Sequence, residues 1–559
     1  MSSPPLPSAL DAATQTFPSL NPAQIDRIRP HGRVRGVKPD EILFEPNANG
    51  VPFFVLLSGA MEIVQPAMDG EQHVAKHGPG EFTGELNMIS GRKSLVRGRI
   101  TEAGEVLEVS PDALRTLVAK DAELSEILMR AFILRRLELI RAGYGNVILM
   151  GSRHCSQTLQ LREFLSRNGH PYTYVDLDTD HSSQELLDRF HVKEDDVPVV
   201  ICNARSVLRH PSIADLAGCL GFNSSIDQKQ VRDVIIVGAG PAGLAAAVYG
   251  ASEGLDTLVI EPQAPGGQAG SSSKIENYLG FPMGVSGQEL ASRATTQAQK
   301  FGADMLIAKR VTRLHCEKQP YQVILESGES LAARSIVIAS GAQYNQLRVE
   351  NLERFEGQGV YYGATYIEAQ LCGDEELVVV GGGNSAGQAA VFLSQSARKV
   401  HLLVRSGELS STMSRYLIHR LTANPKIELH YTTEIVALEG EVELERIQWV
   451  DRKTGEESSH EIRHVFVMTG ASPRTDWLRG CLALDKNGFI LTGRDLDGVG
   501  NTEDFPKWPL KRAPYMLETS LPGVFAVGDA RAGNVKRVAS AVGEGAISIH
   551  LVHRSLAEL

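Results

Sequence analysis

Two glycine-rich turns, each set between an apolar strand and a helix, constrain this 559-residue chain more than any other feature. The first lies in DVIIVGAGPAGLAAAVYGASEGLDTLVIEP, residues 233–262. Gly238 permits a tight turn, Gly240 lets a pyrophosphate approach the backbone, and Gly243 lets helix and strand pack closely. Pro241 and Ala242 complete the turn, and the helix beyond supplies amides and positive potential. About twenty residues on, a second strand ends in Glu261, placed to accept hydrogen bonds from a ribose diol. The second turn lies in ELVVVGGGNSAGQAAVFLSQSARKVHLLVRS, residues 376–406. Here Gly381, Gly383 and Ala386 take the three positions, with Asn384 and Ser385 between them. The strand that follows ends in Arg405 instead of an acid. An acid would repel a ribose 2′-phosphate, whereas arginine binds it bidentately, and Arg415 stands near enough in sequence to assist. This favours NADPH over NADH; the alternative for Arg405 is a solvated surface charge. Two cradles with different ribose partners imply two dinucleotides, the arrangement for passing a hydride from a nicotinamide to a flavin.

The rest of the chain is read against those cradles. At ~100–200 residues per domain, its length holds about three to five domains. A hydrophobic share of 42% and a charged share of 22% are those of a soluble globular protein. The net charge of −11 disfavours a broad nucleic-acid surface. There is no uninterrupted apolar run of ~18 residues, so no transmembrane helix is expected. The N-terminus has neither the basic start nor the apolar core of a secretory signal. Six scattered cysteines (Cys155, Cys202, Cys219, Cys316, Cys372 and Cys481) form no Cys-x-x-Cys. That pattern argues against a disulfide scaffold or a zinc knuckle, predicts no metal site, and fits a reducing cytoplasm.

The first 110 or so residues read as short β runs, among them Phe53–Leu57, Met61–Val64 and Glu105–Val109, with Gly59, Gly70 and Gly80 between them. Apolar residues then recur at helical spacing from Ala122 to Ile140. A β-α-β-α-β order follows: Val147–Met150, Thr158–Arg167, Tyr172–Asp176, Ser183–Phe190 and Pro198–Cys202. It ends near Phe222, and a polar linker leads to Val231. The expected architecture is a β-roll with a helix over 1–142 and a small α/β domain over 143–225. Two Rossmann-like dinucleotide-binding domains follow, with the second, 351–473, inserted between the halves of the first, 226–350 and 474–559.

From Val231 to Leu559 the chain resembles the thioredoxin reductase family. PGGQAGSSSKIENYLGFP is similar to the family's flavin-contacting loop, which implies FAD contacts for Gly267, Gln268 and Asn277. TSLPGVFAVGDARAGNVKRVASAVGEGA is similar to its closing FAD motif. There the resemblance places Asp529 at the ribityl or phosphate region and Arg537, Val538 and Ala539 at the isoalloxazine. The departure is at the active site. Where the family carries Cys-Ala-Thr-Cys-Asp, this chain reads Gly363-Ala364-Thr365-Tyr366-Ile367. Glycine and tyrosine cannot accept electrons as a dithiol does. The resemblance puts this strip over the flavin, where Tyr366 would shield the ring or gate an acceptor.

The middle segment ILMGSRHCSQTLQLREFLSRNGHPYTYVDLD resembles glutaredoxin and thioredoxin-fold modules, with Cys155 at the nucleophile position, Thr158 at the resolving position and Val197-Pro198 at the cis-proline. A helix N-terminus favours a thiolate, which makes Cys155 a candidate reactive monothiol; the alternative is a structural adapter. The N-terminal segment resembles the cyclic-nucleotide-binding β-roll. Glu85 matches the residue that holds the ribose hydroxyl, Ser94 matches the phosphate-binding serine, and Lys93, with Arg92 beside it, stands at the arginine position. Lysine is a point charge where arginine is a fork, so a ligand-free roll for docking or dimerisation stays open beside cyclic nucleotide binding. Both families imply a homodimer. The expected function is an FAD- and NADPH-dependent oxidoreductase that passes electrons to an unidentified acceptor, such as a disulfide or a redox protein. The other reading is a redox or second-messenger sensor with a flavin module.

Overall fold

The computed structural model describes residues 15–558 apart from 68–69, 86, 142–146, 154, 179–192, 194–195, 203–205, 224–228, 442 and 499–507. The helix expected over 183–190 and most of the polar linker lie outside the described residues.

The N-terminal strands build two antiparallel sheets. One joins Gly32–Val37, Gly104–Val109 and Phe53–Leu56; the other joins Ile42–Phe44, Arg97–Glu102, Ala60–Ala67 and Gly70–His77. Phe53–Leu56 is buried at every position, so its side chains fill both sides of its sheet. Gly59 turns the chain into the next strand at φ +82, and a Cβ there would lie 2.6 Å from the Glu102 carbonyl oxygen. The helix Ala122–Arg141 closes the roll with Leu124, Leu128 and Phe132, the last edge-on to Phe53 and Phe82.

The middle segment forms a four-stranded sheet in the order Ser206–Arg209, Val199–Cys202, Val147–Gly151, Thr173–Asp176. Val147–Gly151 and Thr173–Asp176 run parallel and the other pairs antiparallel. The helix Ser156–Arg167 buries Leu161, Phe164 and Leu165 against the sheet. Two further elements carry weak signals in the sequence. The strand Ser206–Arg209 is an edge with no fully buried position, so it carries no alternation signal. The helix Ile213–Leu220 is short but fully punctuated, with a Ser212–Asp215 capping box and left-handed Gly221 at its end.

Apolar runs such as VIIV and TLVIE belong to strands covered on both faces, as parallel sheets are. They lie in a seven-stranded sheet in which Asp304–Ile307, Thr257–Glu261, Val231–Val237 and Ser330–Ile338 are parallel neighbours. Val524–Ala526 returns after nearly 200 residues to pair with Ser330–Ile338. Between these visits the chain forms a second, five-stranded parallel sheet, in the order Val360–Tyr361, Val465–Val467, Glu376–Val380, Lys399–Val404, Ile427–Tyr431. Ala342–Tyr344 and Ala471–Pro473, paired antiparallel, connect the two sheets.

Cys316 and Cys481 form a disulfide across 165 residues. The pairing exists because the returning chain lays the segment after Asp476–Leu478 against the strand Val311–His315, a proximity that sequence spacing does not carry. One bonded pair is no disulfide scaffold, but it shows that the scattered spacing does not fix the redox state of every cysteine. Among the described residues no helix is long and apolar enough to cross a membrane.

Candidate active site

The first cradle is built by three different constraints. Gly238 sits at φ +104, and a Cβ on it would lie 2.3 Å from the Ala339 carbonyl oxygen. A Cβ on Gly243 would lie 1.9 Å from the Gly238 carbonyl oxygen, so the helix Pro241–Ser252 seats directly on the turn. Gly240 is different: a Cβ there would find only Gly267 Cα, 3.9 Å away. The protein thus leaves space at the glycine where a pyrophosphate needs it. Glu261 is buried at the strand end, where its two oxygens accept from the Ala239 amide at 2.8 Å and the Gln263 amide at 3.0 Å. Burial pushes its carboxyl up, against the two amide bonds. Two further groups, Ser340 and Asn534, were not singled out from sequence. The Ser340 hydroxyl, beside Gly238, and both side-chain heteroatoms of Asn534 are buried without a protein hydrogen-bond partner. Orphaned buried polar atoms of this kind call for a ligand or water, and they fit a dinucleotide.

The remaining flavin candidates surround this turn. Gly267, at φ +54, packs on Gly240, and the Gln268 amide donates to the Ala342 carbonyl at 2.8 Å. Asp529 lies in the short turn Gly528–Ala530, its carboxyl raised by burial and by Glu544, with Lys536 opposing. Arg537 caps the helix Val538–Leu556, with Arg537 and Ala539 exposed and Val538 half-buried. Asn277 is exposed in the loop after Gly267.

The second cradle repeats the pattern. Gly381 is at φ +150 with the Met468 carbonyl oxygen 2.4 Å from where its Cβ would stand, whereas Gly383 has open space. Ala386 is fully buried, Asn384 accepts from the Ser414 amide at 2.8 Å, and Ser385 is exposed. Arg405 and Arg415 are both exposed, and among the described residues neither is ion-paired to an acid. Their guanidinium groups are free to meet a phosphate.

The strip Gly363–Ile367 opens a helix. Thr365 caps Tyr366–Leu371, accepting from the Ile367 amide, and its own amide donates to Glu368. Thr365 therefore serves the helix end. The Tyr366 side chain lies outside the described residues. Cys372 is fully buried and its thiol is pushed up by burial, as expected of an inert cysteine.

The helix Ser156–Arg167 docks here. Leu159 packs in one apolar cluster with Tyr361, Ala364 and Ala369, and a Cβ on Gly357 would lie 2.6 Å from the Ser156 Cβ. At its other end, Arg167 donates to the Gly267 carbonyl at 2.8 Å, and Gln288 donates to the Ser166 carbonyl at 2.6 Å. The helix thus bridges the loop at Gly267 and the strip. Cys155 is its half-buried N-cap residue, with no side-chain capping bond. Val197-Pro198 is cis, and Thr158 Oγ1 is buried without a partner.

The β-roll's candidate cassette also faces the middle segment. Arg92 stacks over Phe222 at 4.4 Å and donates to the Asn168 carbonyl at 2.9 Å. Lys93 Nζ reaches the Cys219 carbonyl at 3.4 Å. Glu85 is buried 3.5 Å from Arg136, and the Ser94 hydroxyl donates to the Val96 carbonyl at 2.9 Å. Lys93, Arg136 and His170 line a cavity of about 10 Å³, room for about one water. In this arrangement the middle segment covers the cassette.

Residues 232–545 match the family model described as "Pyridine nucleotide-disulphide oxidoreductase", and residues 34–121 match "Cyclic nucleotide-binding domain". A thioredoxin reductase of Mycolicibacterium smegmatis is 35% identical over 328 residues, spanning 59% of this chain and 97% of its own. The NADPH-dependent thioredoxin reductase 3 of Arabidopsis thaliana is 33% identical over 343 residues, 60% of each chain. Among solved structures, the thioredoxin reductase of Lactococcus lactis is 27% identical at a TM-score of 0.52, covering 59% of this chain and all of that one.

Proposed function

We infer the electron path from the premise that this chain belongs to the pyridine nucleotide-disulphide oxidoreductase family, as a thioredoxin-reductase-like FAD- and NADPH-dependent oxidoreductase without the usual cysteine pair. Electrons from NADPH leave through Cys155 of the middle segment, which acts as a thioredoxin-like module toward a disulfide acceptor. The observation that carries this reading is the docked helix Ser156–Arg167, which joins the flavin loop at Gly267 to the strip at Ala364. FAD, when bound, supplies a two-electron relay between the nicotinamide hydride and a sulfur acceptor. The first cradle would hold its pyrophosphate at Gly240, where the backbone leaves space, and Gly267, Gln268, Asn277, Asp529 and Arg537–Ala539 would contact the rest. Gly381–Ala386 hold the NADPH pyrophosphate, and Arg405 with Arg415 hold the 2′-phosphate. The Cys155 thiolate attacks an acceptor disulfide, one S–S bond breaks as another forms, and a thiolate leaves. Reduction of that mixed disulfide would draw its two electrons and one proton from NADPH by way of bound FAD, and a second proton from solvent, returning Cys155 and the bound half to thiols.

Anaerobic titration of the yellow protein, followed by flavin absorbance, tests the nucleotide assignment. NADPH is expected to bleach the flavin at about tenfold or more lower concentration than NADH, the value of a charge-assisted hydrogen bond of about 1.5–3 kcal/mol. Failure of NADPH to bleach bound FAD would remove the reading.

The contacts of Arg92 and Lys93 with the middle segment give the roll a physical link to the electron path. We propose that a cyclic nucleotide at Glu85, Lys93 and Ser94 competes with the Cys219 carbonyl for Lys93 and so loosens the middle segment from the roll. Calorimetric titration with cyclic AMP and cyclic GMP is expected to give saturable binding and a change in disulfide turnover. Absence of heat with both would leave the roll as a docking module.

A further inference from the structure

The pyridine-nucleotide domain carries a histidine cluster that the hydride path does not use. His401 lies on the strand Lys399–Val404, opposite Glu428 on the edge strand Ile427–Tyr431. Paired residues of parallel strands share a face, as do residues two apart, so His401, Glu428 and His430 project together. Val378 is also opposite His401, which brings Glu376, two residues before it, to the same face. Trp449, on the middle strand of an antiparallel sheet formed by Thr433–Glu439, Arg446–Asp451 and Glu457–His460, packs on both imidazoles, with ring centroids 5.5 Å from His401 and 5.2 Å from His430.

The nitrogens do not merely share a neighbourhood. His401 Nδ1 is 3.0 Å from His430 Nε2, and His430 Nε2 is 3.7 Å from Glu428 Oε1. Donor atoms of all three residues lie within 4.8 Å of one another. The far side of His401 fixes its tautomer. Its Nε2 is 3.3 Å from the Glu376 carboxylate, which only accepts, so Nε2 carries the proton and Nδ1 presents a lone pair to His430. A tetrahedral ion with bonds of about 2.0–2.1 Å holds its donors about 3.3–3.4 Å apart, and the 3.0 Å and 3.7 Å separations bracket that spacing. Arg398 pairs with Glu376 Oε1 at 3.5 Å, and Lys399 pairs with Glu428 Oε2, leaving Glu428 Oε1 for the site. The His401 side chain is 7% exposed, that of His430 21% and that of Glu428 47%, a graded path from solvent.

We propose that His401 Nδ1, His430 Nε2 and Glu428 Oε1 bind one divalent transition-metal ion of the zinc type, with Glu376 orienting His401 and water completing the shell. Imidazole and carboxylate together suit such an ion, and a carboxylate behind a ligating histidine is the usual support. The cysteine pattern points to no metal, and it is silent on His401 and His430, which stand 29 residues apart and meet only through strand register.

The test equilibrates the full-length holoprotein with Zn²⁺, removes free metal by dialysis and counts retained zinc by mass spectrometry. Co²⁺ absorption to the red of the flavin bands reports the ligand set. One zinc per chain is expected. His430→Gln and Glu428→Gln, at partly exposed positions, should lower affinity at least about tenfold, and Glu376→Gln about 10–100-fold, with flavin content showing that each variant is folded. No retained zinc would overturn the site. Retention undiminished in His430→Gln would do the same, assigning the metal to thiols elsewhere.

Discussion

Gly243→Ala is expected to give a protein that has lost its FAD and its colour. The added methyl group would stand 1.9 Å from the Gly238 carbonyl oxygen and 3.2 Å from the Ala339 Cβ. The first of these is backbone, so no side chain can swing aside; the helix Pro241–Ser252 must lift from the turn that it caps. Overpacking of this kind costs about 1–3 kcal/mol or more. The displacement falls on the amides that face the pyrophosphate, so FAD affinity should drop by about 100-fold or more, at 1.4 kcal/mol for each tenfold. Gly240→Ala separates the two effects. Its Cβ has no protein atom nearer than 3.9 Å, so the apoprotein should keep its thermal stability and lose affinity only through the ligand. The measurement is the ratio of flavin to protein absorbance after gel filtration, with a thermal melt of each apoprotein. Full flavin retention in Gly243→Ala would mean that the helix moves without disturbing the site.

The cradles were legible because everything that defines them is local. Strand, turn, helix and terminal residue fall within about thirty residues, and each glycine answers to its own neighbour. The long helix Ala122–Arg141 and the apolar strands were legible for the same reason: periodicity is a property of consecutive residues. Contacts between distant segments were not. Nothing in HCSQTLQLREFLSR says that Leu159 will pack with Tyr361 and Ala364, or that Arg167 will reach the Gly267 carbonyl. Lys93 stands in a cassette suggested by its neighbours, and they do not announce its contact with the Cys219 carbonyl of the middle segment. The Cys316–Cys481 bond and the pairing of His401 with His430 follow from chain return and strand register, which no spacing rule states. Ser340 and Asn534 are ordinary loop residues until burial removes their partners.

The same docking makes Cys155→Ser the most informative change to the electron path. The substitution exchanges one small atom at the half-buried start of the helix Ser156–Arg167 and leaves the Leu159 packing and the Arg167 bonds in place. NADPH should therefore bleach the flavin as in the parent. Disulfide turnover should fall at least about 1000-fold, the scale on which loss of a nucleophile acts, because a hydroxyl cannot exchange with a disulfide. The measurement is thiol release from a disulfide acceptor under NADPH, beside a single-turnover flavin trace. A parallel variant carrying Gly363→Cys and Tyr366→Cys in the Cys155→Ser background tests the strip itself: recovered turnover would place a dithiol there within reach of the flavin. Undiminished turnover in Cys155→Ser alone would take the thiol out of the path. The middle segment would then be an adapter that holds the β-roll to the oxidoreductase, and the acceptor would have to meet the flavin over the strip without a thiol of this chain between them.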